Sequence, residues 1–146
     1  MNRPEPALDT REGADPDPAL GDTLRAALAS FPSLRLAIVY GSVARQRARA
    51  DSDLDLAVLA DRPLWAEQRI SIVEAVSQAT GRPVDLVDLA TAGEPTLGQV
   101  VRHGWRVLGS SQAHGALIFR HLVDQSDFVP LRNRILDERR RAWTGT

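Results

Sequence analysis

Two aspartates, Asp53 and Asp55, are the residues of this 146-residue sequence whose type and spacing point most directly to chemistry. They stand at the start of an apolar run and are separated by one residue. Because side chains alternate across a strand, both carboxylates are expected on one face of it. Two like charges that close repel unless a cation lies between them, and Mg²⁺ prefers carboxylate and phosphate oxygens. The pair therefore predicts a magnesium site.

A second feature is the dipeptide Gly41-Ser42, which directly follows the apolar run 34–40. Ten residues separate it from Asp53. Glycine permits close approach of the backbone to a ligand. Ser42 offers a hydroxyl and a backbone N–H at the start of a predicted short helix, where the helix dipole favours anions. We expect Gly41 and Ser42 to bind the phosphates of a nucleotide.

A third acidic stretch, 83–89 (PVDLVDL), contains Asp85 and Asp88. Because they are three residues apart on a predicted strand, they must point to opposite faces, so at most one of them joins the site. Asp85 is the interpretation we favour. A register slip of one residue would instead bring Asp88 inward.

The elements around these residues predict an α/β (α+β) fold, a small mixed β-sheet with helices packed on it. Apolar, β-branched runs predict strands over 34–40, 53–60, 83–89 and 105–108. Apolar residues at helical spacing predict a first helix capped by Asp22 and further helices at 64–80, around 97–101, at 113–123 and at 130–141. Gly81 is expected to end the 64–80 helix.

Composition limits the classes of protein. Residues 1–20 are rich in Pro, Asp and Glu and predict a disordered tail, and residues 21–146 suffice for a single domain. The net charge of −1 argues against direct nucleic-acid binding. With no cysteine, no signal-like start and no apolar run of membrane length, we expect a cytoplasmic protein.

The stretch GSVARQRARADSDLDLAVL, with Asp85 of VDLVDL thirty residues past Asp55, resembles the minimal nucleotidyltransferases (MNT) of the DNA polymerase β-like superfamily. The resemblance covers roughly residues 22–141. Within that family the chain is most similar to the antitoxins that accompany HEPN ribonuclease toxins.

This resemblance implies an enzyme that transfers AMP from ATP to a hydroxyl, a tyrosine of a partner HEPN ribonuclease toxin, and so acts as its antitoxin in a hetero-oligomer. Nucleotidyl transfer by two Mg²⁺ ions needs at least three carboxylates. Asp53 and Asp55 would bridge the two ions, and Asp85 would complete the ion nearer the nucleophile and steer its proton. Arg45 matches the arginine of the family's GSxARG pattern and implies a phosphate contact.

One residue departs from the family pattern, because Gln46 stands where glycine is usual. A left-handed conformation there would cost on the order of 1–2 kcal/mol for a residue other than glycine and would reshape the phosphate loop. Two alternatives to the protein-modifying enzyme stay open. They are a non-catalytic binding antitoxin and a small-molecule nucleotidyltransferase of the aminoglycoside-modifying kind.

The remaining polar and aromatic residues are given structural interpretations. His103, His114 and His121 are too scattered in sequence for a metal site and are read as surface or partly packed residues. The tryptophans (Trp65, Trp105 and Trp143) and Tyr40 are read as packing residues. The run 139–141 (three arginines) is typical of a helix C-terminus, where cations are stabilising without a partner.

Overall fold

The computed structural model describes residues 16–44 and 52–126, and a four-stranded mixed sheet forms its centre. The strands are β1 (Leu34–Tyr40), β2 (Leu54–Ala60), β3 (Val84–Asp88) and β4 (Trp105–Gly109), in the spatial order β3-β2-β1-β4. β1 is antiparallel to both of its neighbours, whereas β2 and β3 are parallel. The fold class predicted from the sequence is confirmed.

Helices cover both faces of this sheet. They are α1 (Pro18–Leu28), α2 (Gly41–Ala44), α3 (Ala66–Thr80), α4 (Thr96–His103) and a fifth helix, α5, which the structure describes over residues 111–126. Among these described helices, none has the length and apolar character needed to cross a membrane.

The two faces of β2 belong to different cores, and this decides where its acids point. Leu54, Leu56 and Val58 are fully buried in a cluster with residues of α1 and α3. Ala57 is buried in a second cluster with Leu97 of α4 and other residues of α4 and α5. Because strand side chains alternate, positions 53 and 55 lie on the same face as position 57. The acids therefore lie on the α4/α5 side of the sheet.

The start of α1 differs from the prediction, because Asp17 and not Asp22 is its N-cap. The Asp17 carboxylate accepts a hydrogen bond from the Leu20 N–H at 3.1 Å, and Pro18 opens the helix, where a missing N–H costs nothing. Asp22 instead pairs with Arg25 one turn later at 3.1 Å. The last three residues of the predicted tail are thus helical, and residues 1–15 lie outside the described part.

The other element boundaries agree closely with those predicted from the sequence. The burial of one tryptophan was predicted wrongly. α3 ends at Gly81 in a left-handed conformation, with φ of 69°, as expected. Trp105 is buried, but Trp65 is 70% exposed at the N-cap of α3, so its interpretation as a packing residue was wrong. The helix predicted at 130–141, the arginine run 139–141 and Trp143 lie outside the described residues.

Candidate active site

Strand pairing brings two of the predicted acids face to face. Asp55 of β2 stands directly opposite Asp85 of the parallel strand β3. Residues opposite each other on paired strands project from the same face, and Asp53 shares that face because it precedes Asp55 by two positions. Three carboxylates therefore gather on the α4/α5 face, at the edge of the sheet where β1 ends and β2 begins.

The electrostatics of Asp55 reflect this crowding. Partial burial raises the pKa of its carboxyl above the ordinary value, and the negative charges of Asp85 and then Asp53 raise the pKa further. Burial and like charges both disfavour the ionised form of a carboxyl group. A cation bound among the three carboxylates would offset this repulsion and favour the ionised form of Asp55.

Tyr40 lies on the other side of Asp55, as its partner across the antiparallel pair of β1 and β2. The residue is 6% exposed, which confirms the packing interpretation. Burial, followed by the charges of Asp55 and Asp85, raises the pKa of the Tyr40 hydroxyl to about 12. The hydroxyl is therefore neutral at physiological pH and adds no further negative charge beside the acids.

The predicted phosphate turn is packed directly on this cluster. Gly41 follows Tyr40 and has a φ of 73°, a left-handed conformation that side-chain-bearing residues rarely adopt. A Cβ atom at Gly41 would overlap the carboxylate of Asp55. Ser42 follows in the first turn of α2, exposed to solvent. The turn and the acids therefore form one continuous surface.

The donor set suits a hard divalent cation. Asp53, Asp55 and Asp85 offer carboxylate oxygens, the ligands that Mg²⁺ prefers. Within residues 16–44 and 52–126, no three acidic or histidine side chains already converge as a coordination shell. Asp53 and Asp85 are exposed, however, and the charges of both act on the carboxyl group of Asp55. The residues present thus fit a magnesium site in chemistry, on a backbone that aligns them.

Asp88 has a structural role and lies away from the other acids. Its side chain is 4% exposed and belongs to the opposite face of β3. One carboxylate oxygen accepts from the Leu64 N–H at 2.8 Å and the other from the Ala90 N–H at 2.9 Å. Asp88 therefore ties the end of β3 to the segment that leads into α3. The structure brings Asp85 to Asp55 and does not bring Asp88 there.

Two residues singled out in the sequence lie outside the described part of the chain. These are Arg45, predicted to contact phosphate, and Gln46, which replaces the family glycine. Both belong to the segment 45–51.

A partly buried polar pair on the same face was not predicted from the sequence. His121 of α5 is 3% exposed, and its Nδ1 lies 2.5 Å from Oε1 of Glu94. The other carboxylate oxygen, Oε2, accepts from the Gly98 N–H at 3.1 Å. His114 is also buried, so the interpretation of these two histidines as surface or partly packed residues was wrong. A signal was present, because positions 114, 117, 118 and 121 repeat at helical spacing around Leu117.

Comparison with protein families gives a match over much of this chain. The model of a family described as polymerase beta nucleotidyltransferase matches residues 22–113, which include the phosphate turn and all three acids. The chain is also 34% identical over 109 residues to the protein adenylyltransferase MntA of Shewanella oneidensis, covering 75% of this chain and 78% of that protein.

Solved structures match as well. A toxin-antitoxin crystal structure with AMP-PNP superposes with a TM-score of 0.71 at 27% identity, covering 81% of this chain and 96% of that chain. A complex of a tri-AMPylated Shewanella oneidensis HEPN toxin with its MNT antitoxin matches with a TM-score of 0.67 at 25% identity, covering 83% of this chain and 96% of that chain.

Proposed function

Because this chain belongs to the polymerase beta nucleotidyltransferase family, we propose that it transfers AMP from ATP to a hydroxyl of a HEPN ribonuclease toxin and thereby acts as that toxin's antitoxin. The relative MntA is named a protein adenylyltransferase, and a neighbouring MNT antitoxin is bound to a tri-AMPylated HEPN toxin. Another neighbour holds the ATP analogue AMP-PNP. A tyrosine acceptor and a stable complex with the toxin are part of the proposal.

The single observation that carries the proposal is the pairing of Asp55 with Asp85 beside the Gly41 turn. Adenylyl transfer needs a phosphate-binding turn and carboxylates within reach of the same phosphate chain. In this chain the two parts touch, since a Cβ at Gly41 would overlap Asp55.

Each residue then has a role in the proposal. The Gly41 backbone and the Ser42 hydroxyl bind the β- and γ-phosphates, with Arg45 as a further phosphate contact. Asp53, Asp55 and Asp85 would hold the magnesium, which would offset the charge of the phosphates, and Asp85, opposite Asp55 on β3, would also act on the acceptor hydroxyl. Tyr40 stays protonated beneath them and keeps the floor of the site free of a fourth negative charge.

The reaction forms a bond between the acceptor hydroxyl oxygen and the α-phosphorus of ATP. The bond from that phosphorus to the bridging oxygen breaks, and pyrophosphate leaves. Asp85 accepts or directs the proton of the hydroxyl. Magnesium, proposed as two ions, would offset the charge of the phosphates and promote deprotonation of the hydroxyl.

Two further parts of the proposal concern the whole chain. The domain includes the whole of α1, so residues 18–146 act as one nucleotidyltransferase domain, and the residues before α1 take no part in catalysis. We also place the protein in the cytoplasm, where ATP is available and where a cysteine-free chain loses nothing under reducing conditions.

The test uses a HEPN-type ribonuclease toxin as the acceptor protein. It is incubated with the full-length chain, ATP and Mg²⁺, and its intact mass and ribonuclease activity are measured. We expect a mass increase of one or more AMP units and loss of ribonuclease activity, and neither when EDTA replaces Mg²⁺. Neutralisation that persists with EDTA, without any mass increase, would instead identify a binding antitoxin.

A further inference from the structure

A cavity of about 590 Å³, which we call the α4/α5 cleft, lies between α4 and the end of α5. Its walls include Glu94, Gly98, Gln99, Arg102 and His103 from α4 and the segment before it. Gln125 of α5 forms the opposite wall. A cavity of this size is typical of ligand sites, which range from roughly 300 to 1,000 Å³.

The cleft lies on the same face of the sheet as the three acids. α4 and α5 cover the face to which Ala57 and Tyr40 belong, and Asp55 projects from that face. The last turn of α4 also points to the acidic edge. Gly104, which ends α4, packs on Ile38, and the next residue, Trp105, pairs with Val39, immediately before Tyr40. The cleft therefore runs along α4 toward the acids.

The chemistry of its walls favours a negatively charged ligand. Arg102 and His103 form the last turn of α4, and both are exposed. In the described part of the chain, neither has a hydrogen-bond or ion-pair partner, and the same is true of the Gln99 and Gln125 amides. The one acid in the wall, Glu94, is already engaged by His121 and by the Gly98 N–H. An arginine and two amides bind carboxylates well.

A hydrogen bond ties together the elements on the two sides of the cleft. Buried His121 of α5 contacts the wall residue Glu94, which precedes α4, and Glu94 also accepts from the Gly98 N–H. A Cβ at Gly98 would lie 2.9 Å from Oε2 of Glu94 and 3.2 Å from Cε1 of His121. The backbone of α4 therefore packs against this pair at a position that suits glycine.

We propose that the α4/α5 cleft binds an acidic segment of the acceptor protein and leads its hydroxyl to Asp85. This inference rests on the proposed function and names the surface that selects the substrate. Nucleotide binding is assigned to the Gly41 turn, so the cleft contributes to recognition of the acceptor and not of ATP.

The test compares substitutions that add negative charge at single positions of the full-length chain. Arg102→Glu and, on the opposite wall, Gln125→Glu introduce a repelling charge into the cleft, and a like charge in an interface costs enough to weaken binding about tenfold or more. Arg62→Glu is the matched control, because Arg62 is exposed just beyond the far end of β2. Circular dichroism and melting temperature report whether each variant folds.

Two measurements are made with the HEPN-type ribonuclease toxin that serves as the acceptor in the test of the proposed function. They are its binding affinity without ATP, and the KM of AMP transfer for that protein and for ATP. We expect both cleft variants to weaken binding and raise the acceptor KM about tenfold or more, with the KM for ATP unchanged and the control equal to wild type.

Three outcomes would overturn the inference. They are unchanged acceptor affinity in both cleft variants, an equal loss in Arg62→Glu, and a rise confined to the KM for ATP, which would make the cleft a nucleotide site. Failure of the proposed function can be told apart from failure of this inference. A wild-type chain that binds the acceptor but transfers no AMP would contradict only the proposed activity. The affinity measurement would still test the role of the cleft.

Discussion

Asp55 and Asp85 stand directly opposite each other on the parallel strands β2 and β3, on the face of the sheet that α4 and α5 cover. This relationship turns a two-residue sequence pattern into a three-carboxylate cluster. It also has a cost, because like charges held close on a folded backbone destabilise it unless a cation joins them.

The first prediction concerns that cost. Since burial and neighbouring charges raise the pKa of Asp55 in the folded state, its ionisation is less favourable there than in the unfolded chain. The metal-free protein should lose stability as the pH rises from about 4, the unfolded value, through the raised folded value. Asp55→Asn removes the charge, so in EDTA at neutral pH its melting temperature should exceed that of wild type.

The increase in melting temperature caused by Asp55→Asn should become smaller near pH 4, where the wild-type carboxyl is protonated. Mg²⁺ should stabilise wild type more than the variant, because only wild type keeps the full set of carboxylates. A variant that melts below wild type in EDTA at neutral pH would show that the acids are not crowded as described.

The second prediction separates Asp85 from Asp88. Asp85→Asn should abolish AMP transfer while leaving ATP affinity close to wild type and without lowering the melting temperature, because this exposed acid is assigned to the chemistry and its charge adds to the repulsion at Asp55. Asp88→Ala should lower the free energy of unfolding by on the order of 2 kcal/mol, because the N–H groups of Leu64 and Ala90 lose their acceptor.

Transfer rate per folded molecule should be unchanged in Asp88→Ala. Chemical denaturation and a single-turnover assay give the two readings. The reverse pattern, with Asp88 needed for transfer and Asp85 dispensable, would overturn the assignment of the third acid.

The third prediction uses two glycines with nearly the same backbone conformation, Gly41 at φ 73° and Gly81 at φ 69°. Gly81→Ala meets no atom within 4 Å, so it should cost only the conformational strain, about 1 kcal/mol, and leave activity intact. Gly41→Ala pays the same strain and also displaces the Asp55 carboxylate.

We therefore expect Gly41→Ala to raise the KM for ATP and lower kcat beyond anything seen in Gly81→Ala. Steady-state kinetics and melting curves of the two variants test this pair. Equal kinetics in both would mean that the Gly41 turn does not contact the nucleotide.

The fourth prediction concerns the hydrogen bond between His121 and Glu94. Replacing Glu94 by Gln keeps an acceptor for the Gly98 N–H but removes the charge that faces His121. Because hydrogen bonds to charged groups contribute about 1.5–3 kcal/mol, the variant should unfold more easily by about that amount. Hydrogen exchange should show the loss of protection first in α4 and α5, and uniform loss across the sheet would contradict the local role.

The fold was largely predictable because its strands are short apolar runs with clear ends. The period of two along β2 and β3 also predicted that Asp53 and Asp55 share a face and that Asp85 and Asp88 do not. These are local properties of a strand and need no knowledge of its partner. The family model over residues 22–113 confirmed the resemblance that named the superfamily.

The errors arose where distant or competing partners decide the outcome. Asp17 and Asp22 are both good N-caps, and the position of Pro18 decided between them. The pairing of His121 with Glu94 joins residues 27 positions apart, so its burial depends on how α5 packs on α4. Trp65 is exposed because α3 begins after it, whereas apolar content alone suggested burial.

The central claim is that Asp53, Asp55 and Asp85 form an adenylyl-transfer centre. Its most direct test is the intact mass of a HEPN-type ribonuclease toxin after incubation with ATP, Mg²⁺ and either wild type, Asp55→Asn or Asp88→Asn. We predict added AMP with wild type and with Asp88→Asn, and an unchanged mass with Asp55→Asn. Added AMP in the presence of folded Asp55→Asn at the wild-type rate, or none with wild type, would contradict it.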